Sequence, residues 1–163
     1  MFSTAGVLRA ERHPAQLCAA AVRATLDTNL VGPLLAAKHL HAFVLPRAPP
    51  PSVWVNMSAR VGSIGDNAAG GWYSYRASKA GLNQVTRCLD LFLAQRCGAA
   101  AMAVSIHPGT VRTALSADYW ASVPEGSLFE PEDAAAKVLD VVEALRPEQR
   151  GGFWDWKGER IEW

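Results

Sequence analysis

The sequence predicts an α/β domain with a mostly parallel sheet of about four strands and helices on both faces. Three observations predict it. Short apolar runs of strand length alternate with longer stretches of helical periodicity. The runs are continuously apolar, as parallel strands covered on both faces require. Half of the 163 residues are hydrophobic and 19% are charged, an ordinary balance for one globular domain with one core. Residues 1–163 are therefore read as a single domain, without internal repeat, linker or low-complexity tract.

The elements follow in order. Residues 3–8 are a short apolar run that reads as the end of a strand. Residues 15–45 read as helix in two pieces, with Gly32-Pro33 as the joint or restart. The proline-rich segment 47–52 cannot continue a helix and is a loop. Next, Ser52-Val-Trp-Val-Asn-Met-Ser58 is β-branched and aromatic, of strand length. Glycine and small polar residues over 62–71 make a surface loop. Helical periodicity then runs from Tyr73 to about Arg96, with Leu82, Val85, Leu89 and Leu93 on one apolar stripe. Residues 100–107 are a buried strand ended by Pro108-Gly109. Residues 114–129 are a loop or short helices. Pro131-Glu-Asp133 opens a helix to about Leu145, its acidic first turn matched to the helix dipole. Residues 150–156 read as a last short strand.

Composition excludes several classes. A net charge of +1, with no basic run longer than two residues, gives no footprint for nucleic acid or an anionic membrane. The most apolar stretch, 30–45, is broken by Lys38, His39 and His41 and is too short to span a bilayer. The first residues lack the basic and apolar regions of a signal peptide. Cys18, Cys88 and Cys97 form no C-x-x-C pair, and Cys88 and Cys97 share no helix face, so buried free thiols in a reducing compartment are expected. A cytoplasmic protein follows. No G-x-S-x-G is present, which argues against an α/β-hydrolase.

The residues that carry chemistry are Tyr75-Arg-Ala-Ser-Lys79. Tyr75 and Lys79, four apart, lie on one helix face. A phenol titrates near pH ~10, too high to trade protons easily at neutral pH. An ammonium within reach favours the phenolate and lowers that value, so the pair suits protonating an alkoxide or deprotonating an alcohol.

Around this pair, Asn56-Met-Ser-Ala-Arg-Val-Gly-Ser-Ile-Gly65 and Gly70-Gly-Trp-Tyr-Ser-Tyr-Arg-Ala-Ser-Lys-Ala-Gly-Leu-Asn83 resemble the short-chain dehydrogenase/reductase family, and within it the C-factor and sniffer-type carbonyl reductases. The likeness continues in order. Thr4-Ala-Gly6 resembles the end of the family's N-N-A-G strand. Asp27-Thr-Asn-Leu-Val-Gly-Pro33 resembles the segment with its active-site asparagine. Pro108-Gly-Thr-Val-Arg-Thr113 resembles its P-G-x-V-x-T cofactor loop. The resemblance implies a partial Rossmann fold and an exchange of carbonyl and alcohol dependent on NADP or NAD. It makes Tyr75 the general acid/base. Lys79 would lower the Tyr75 pKa and hold the nicotinamide ribose, and Asn29, in a helix kink, would relay protons from Lys79 through a water. Ala5, Gly6, Asn29, Tyr75, Lys79, Pro108, Gly109, Val111 and Thr113 would meet the cofactor. Trp72, Tyr73 and Trp120 would wall the substrate pocket. His107 reads as a satisfied strand-end histidine. Helices near 30–45 and 74–97 would build a homo-oligomer interface.

Two features depart from the family's pattern. Where its active-site serine is expected stands Ala59, flanked by Ser58 and Ser63; Ser58 is the preferred substitute, although strand alternation should point it to the other sheet face. The T-G-x-x-x-G-x-G turn that binds pyrophosphate is not in the chain, nor are three βα units, about 90 residues. Weak or absent cofactor binding by these residues alone is therefore expected. Three readings stand: a carbonyl-reducing enzyme acting on small carbonyl or alcohol substrates, a non-catalytic fragment acting by association, and a truncated gene product. The substrate, and NAD against NADP, are not legible.

Overall fold

The computed structural model describes residues 1–45 and 50–163, so the loop expected over 47–52 lies largely outside the described residues. In chain order the elements are β1 (Phe2–Ser3), α1 (Ala19–Leu26), α2 (Gly32–Leu40), β2 (Ser52–Met57), α3 (Tyr73–Cys97), β3 (Ala101–His107), β4 (Thr110–Val111), β5 (Leu128–Phe129), α4 (Pro131–Ala144) and β6 (Phe153–Asp155). A four-stranded sheet has the order β1-β2-β3-β6. Every pairing in it is parallel: Phe2 sits opposite Val55, Asn56 opposite Ser105, and Ser105 opposite Phe153.

Strand alternation sorts the core. Trp54, Ala101 and Ala103 face Leu89 and Leu93 of α3, with Val44 closing that side. Val55, Val104 and Ile106 face Val138 and Val141 of α4. Both faces of the central strands are thus covered, which is why β2 and β3 read as unbroken apolar runs. Leu82, Leu89 and Leu93 are buried as the stripe requires, and Val85 is half-buried.

Three elements differ from expectation. β1 is two residues long and its chain leaves the sheet at Thr4, where the path turns toward the site. The first helical piece starts at Ala19; Pro14–Gln16 is a separate 3-10 turn. The joint between the pieces is a π-turn over Asp27–Val31, in which Gly32 N bonds Asp27 O. Gly32-Pro33 marks the restart, with Pro33 in the first turn, where a missing N–H costs nothing. Within 114–129 the structure places a 3-10 stretch, Ala117–Ser122, and β5, which pairs with β4 in a separate parallel ribbon. Strands of two residues are too short to leave a period in the sequence.

The cysteines differ too. All three thiols are free, but Cys18 and Cys88 are exposed where their helical turns face solvent, and Cys97 is only half-buried, packed against the core cluster of Trp54 and Leu93. No helix among the described residues is long and apolar enough to cross a membrane.

One buried ion fastens the last strand to α3. Asp90, fully buried, accepts from Ala103 N at 3.1 Å and from Arg150 Nε at 3.1 Å. Arg150 in turn donates to the carbonyls of Gly98, Asp90 and Ala101. Removing the carboxylate strands a half-buried guanidinium and a buried amide. Asp90→Ala is expected to lower stability by about 3–5 kcal/mol, read as the shift of the urea unfolding midpoint at unchanged slope.

Candidate active site

The N-terminal turn of α3 lies at the C-terminal ends of the sheet strands, where open α/β sheets place their crevices. Two anchors hold it there. Trp72 precedes the helix with φ of 50°, a left-handed conformation that costs a non-glycine residue about 1–3 kcal/mol. Its N–H donates to Glu11 O at 2.6 Å. Buried Glu11 then caps the helix, accepting from Ser74 N at 3.3 Å and from the Ser74 hydroxyl. The sequence reading missed Glu11, because nothing local marks a carboxylate that caps a helix 63 residues away. The second anchor is close approach: a Cβ on Gly62 would lie 2.7 Å from Lys79 Cβ, so only glycine lets the 60–62 turn pass the helix.

Tyr75 and Lys79 are both buried on the inner face of α3. Lys79 Nζ donates to Met57 O at 2.8 Å, the carbonyl that ends β2, and stands 5.7 Å from the Tyr75 ring centre. Burial lowers Lys79 to about 8. Burial also raises Tyr75 to about 12. This reverses the direction expected from the spacing. Desolvation penalises the phenolate more than the lysine favours it, because the ammonium bonds a backbone carbonyl and not the phenol.

Asn29, fully buried in the π-turn, accepts from Val7 N at 2.8 Å and donates to Val7 O at 2.8 Å and to Ser78 Oγ at 3.0 Å. Ser78 Oγ itself donates to Tyr75 O at 2.7 Å. The asparagine thus clamps the chain after β1 to α3, and both of its amide protons are spent. A Cβ on Gly6 would lie 3.5 Å from Asn29 Oδ1 and 3.6 Å from Lys79 Nζ, so Gly6 sits between them without a side chain to intrude.

These elements enclose a cavity of about 470 Å³. Of the residues singled out from sequence, Gly6, Ser58, Tyr75, Lys79, Pro108, Gly109, Val111 and Thr113 line it. Ala5 and Asn29 do not; Asn29 stands behind Gly6. Gly109 has φ of 81°, and a Cβ there would lie 2.6 Å from Phe129 Cε2, so the Pro108-Gly109 turn needs its glycine. Trp72 walls the cavity as expected, but Tyr73 is exposed and Trp120 lies outside, its indole N–H bonded to Ser116 and its ring beneath Arg112. The second aromatic wall is Tyr119, 4.7 Å from Trp72 between ring centres.

Ala59 lines the cavity where a serine is expected. Neither flanking serine offers its proton there. Ser58 is buried and donates to Asn83 Oδ1 at 2.7 Å. Ser63 is outside the cavity, where its hydroxyl accepts from Asp66 N at 3.0 Å. His107 also departs from expectation: it lines the cavity, and its Nδ1 is buried with no partner among the described residues. Burial, with Arg60 nearby, lowers it to about 4 against an opposing pull from Asp155, leaving the imidazole neutral.

The family model described as short chain dehydrogenase matches residues 1–123. The chain belongs to the short-chain dehydrogenase family. It is 33% identical over 142 residues to the 1-hydroxy-2-glutathionyl-2-methyl-3-butene dehydrogenase of Rhodococcus sp. (strain AD45), covering 87% of this chain and 58% of that protein. It is 33% identical over 108 residues to the C-signal protein of Myxococcus xanthus, covering 66% and 59%. Its fold superposes on the carbonyl reductase Sniffer of D. melanogaster with a TM-score of 0.87 at 28% identity, covering 99% of this chain and 65% of that one. The chain thus spans less than two thirds of the length of each. The family membership, the likeness to sniffer and the partial Rossmann sheet agree with the sequence reading.

Two outcomes follow from this site in a short-chain dehydrogenase chain. Native Lys79 releases its proton near pH 8, whereas the unfolded chain holds it to about 10.5. Between pH 8 and 10 the unfolded state binds more protons, so stability rises with pH by up to about 1.4 kcal/mol per unit. The unfolded Tyr75 phenol, near 10 against about 12 in the native chain, offsets this rise only as pH approaches 10. Lys79→Met should therefore flatten the rise, measured by urea unfolding at several pH values. Glu11→Ala should cost about 2 kcal/mol, with a changed near-ultraviolet dichroism from Trp72.

Proposed function

We propose that residues 1–163 form the catalytic portion of a short-chain dehydrogenase domain that interconverts carbonyl and alcohol groups on small molecules with NADP or NAD. The observation that carries this is the convergence of Tyr75, Lys79, Gly6 and the Pro108-Gly109 turn on one cavity. The residues present suit the nicotinamide end of such a cofactor. Lys79 keeps donors free after its one bond to Met57, Gly6 keeps any side chain out of the gap beside Lys79, and residues of the 108–113 loop line the cavity. The cofactor, when bound, supplies or accepts the hydride.

Tyr75 holds the proton. Raised to about 12, the phenol is protonated at neutral pH and is poised to donate to a developing alkoxide. Reduction is the favoured direction. Lys79 positions the ribose hydroxyls, Asn29 keeps the chain at Gly6 in place, and Trp72 with Tyr119 excludes water over an apolar substrate. The pyrophosphate grip is not among these residues, so NADPH binds them weakly. Localisation in the cytoplasm and self-association accord with this reading. Val31, Leu34 and Leu35 around α2, and Leu91 on α3, present exposed apolar side chains for a second copy.

A non-catalytic role by association is the second reading, favoured by Ala59 in the serine position. Turnover of NADPH with a panel of aldehydes separates the two. Tyr75→Phe should lower it by about 10²–10⁴-fold, and reduction should stay level from pH 6 to 7 and change as Lys79 loses its proton near pH 8. No turnover by the wild type at any pH would leave the associative reading. Calorimetric titration with NADPH should show binding weaker than micromolar.

A further inference from the structure

Along its buried face, α3 reaches the sheet at regular levels through polar side chains. Asp90 accepts from Ala103 N at 3.1 Å. One turn toward the site, Thr86 Oγ1 accepts from Asn56 Nδ2 at 2.9 Å and from Ser105 Oγ at 2.9 Å, bridging two residues that are opposite each other in the β2–β3 register. The next level belongs to Asn83. Ser58 lies two residues beyond Asn56, and His107 two beyond Ser105, so alternation brings both side chains to the α3 face together. The pairing persists to this level, since Ser58 N donates to Ile106 O at 2.8 Å.

Asn83 fills only half of its place in the ladder. Its Oδ1 accepts from Ser58 Oγ at 2.7 Å, but its Nδ2 is buried without a partner among the described residues. His107 Nδ1 is buried and unpartnered in the same way. One group is a donor and the other can accept. Buried polar groups left unpaired are costly, and a water between a donor and an acceptor at one level of the interface satisfies both. His107 also lines the cavity beside Ala59 and Tyr75, and only its Nδ1 is sealed away.

We propose that His107 supplies the hydrogen-bond donor missing at Ala59: one buried water joins its Nδ1 to Asn83 Nδ2, and its Nε2–H donates to the substrate's oxygen in the cavity. The proposal rests on the cavity being a carbonyl site. A neutral imidazole has one donor and one acceptor, and the environment holds His107 neutral at physiological pH. The amide of Asn83 fixes which nitrogen is which, as partners of ring nitrogens do elsewhere. Ser58 cannot take the role, because Asn83 consumes its proton. Asn83 is then a positioning residue, acting through His107.

The test is long-range imidazole nitrogen–carbon NMR on the labelled chain, with benzaldehyde as the carbonyl probe. His107 is expected as the neutral Nε2–H tautomer at pH 7, and Asn83→Ala is expected to move its Nδ1 resonance and mix the tautomers. A protonated or Nδ1–H ring, or no response to Asn83→Ala, overturns the proposal. On titration with benzaldehyde, His107 and Tyr75 ring signals are expected to move together. Movement of Tyr75 alone overturns the role of His107 and leaves the carbonyl site standing. Movement of neither removes the carbonyl site and the proposal with it. His107→Leu is expected to weaken benzaldehyde binding about tenfold, and His107→Gln, which keeps a donor, to restore most of it; equal loss in both variants counts against a donor role.

Discussion

Everything at the site depends on how one face of α3 is buried against β2 and β3. That face carries two columns at once. Leu82, Leu89 and Leu93 supply apolar area, while Ser78, Asn83, Thr86 and Asp90 supply polar groups. The apolar column provides the driving force and is indifferent to exact position. The polar column is not, because each buried group must meet a partner at a set level of the sheet. Thr86 between Asn56 and Ser105 fixes the register of helix on sheet, and with it the place where Tyr75 and Lys79 emerge.

Burial has an electrostatic consequence. It moves Tyr75 and Lys79 in opposite directions, the phenol up and the ammonium down, so that at neutral pH the site holds a protonated phenol beside a lysine close to its titration point. A surface pair at the same spacing would be solvated and close to its ordinary values. The sheet seats the lysine by ending β2 at Met57, whose carbonyl accepts from it and resists the shift that burial imposes, and the π-turn contributes Asn29, whose bonds to Val7 hold the chain after β1.

The fold was legible wherever a period could run. β2 and β3, apolar through their lengths, and α3, with its long stripe, sit within a residue or two of where periodicity placed them. The failures are equally specific. β4 and β5 are too short to show a pattern, and the π-turn at Asp27–Val31 leaves no period; it is expected only as the helix kink that the resemblance places at Asn29. The cysteine reading failed because hydrophobicity of a side chain says nothing of which helix face meets solvent.

By itself, the sequence determined the family, through its resemblance in several ordered motifs, and marked residues that the fold brings to one cavity: Tyr75, Lys79, Gly6 and the 108–113 loop. Motifs that short can be read without the fold. Only the tertiary structure decided what surrounds them: that Tyr75 is raised and not lowered, that Ser58 spends its proton on Asn83, that Glu11 caps a helix far along the chain, and that His107 reaches the cavity with an unpartnered nitrogen. Each is a matter of desolvation or of pairing between residues distant in sequence, and neither quantity exists until the sheet and α3 have closed on one another.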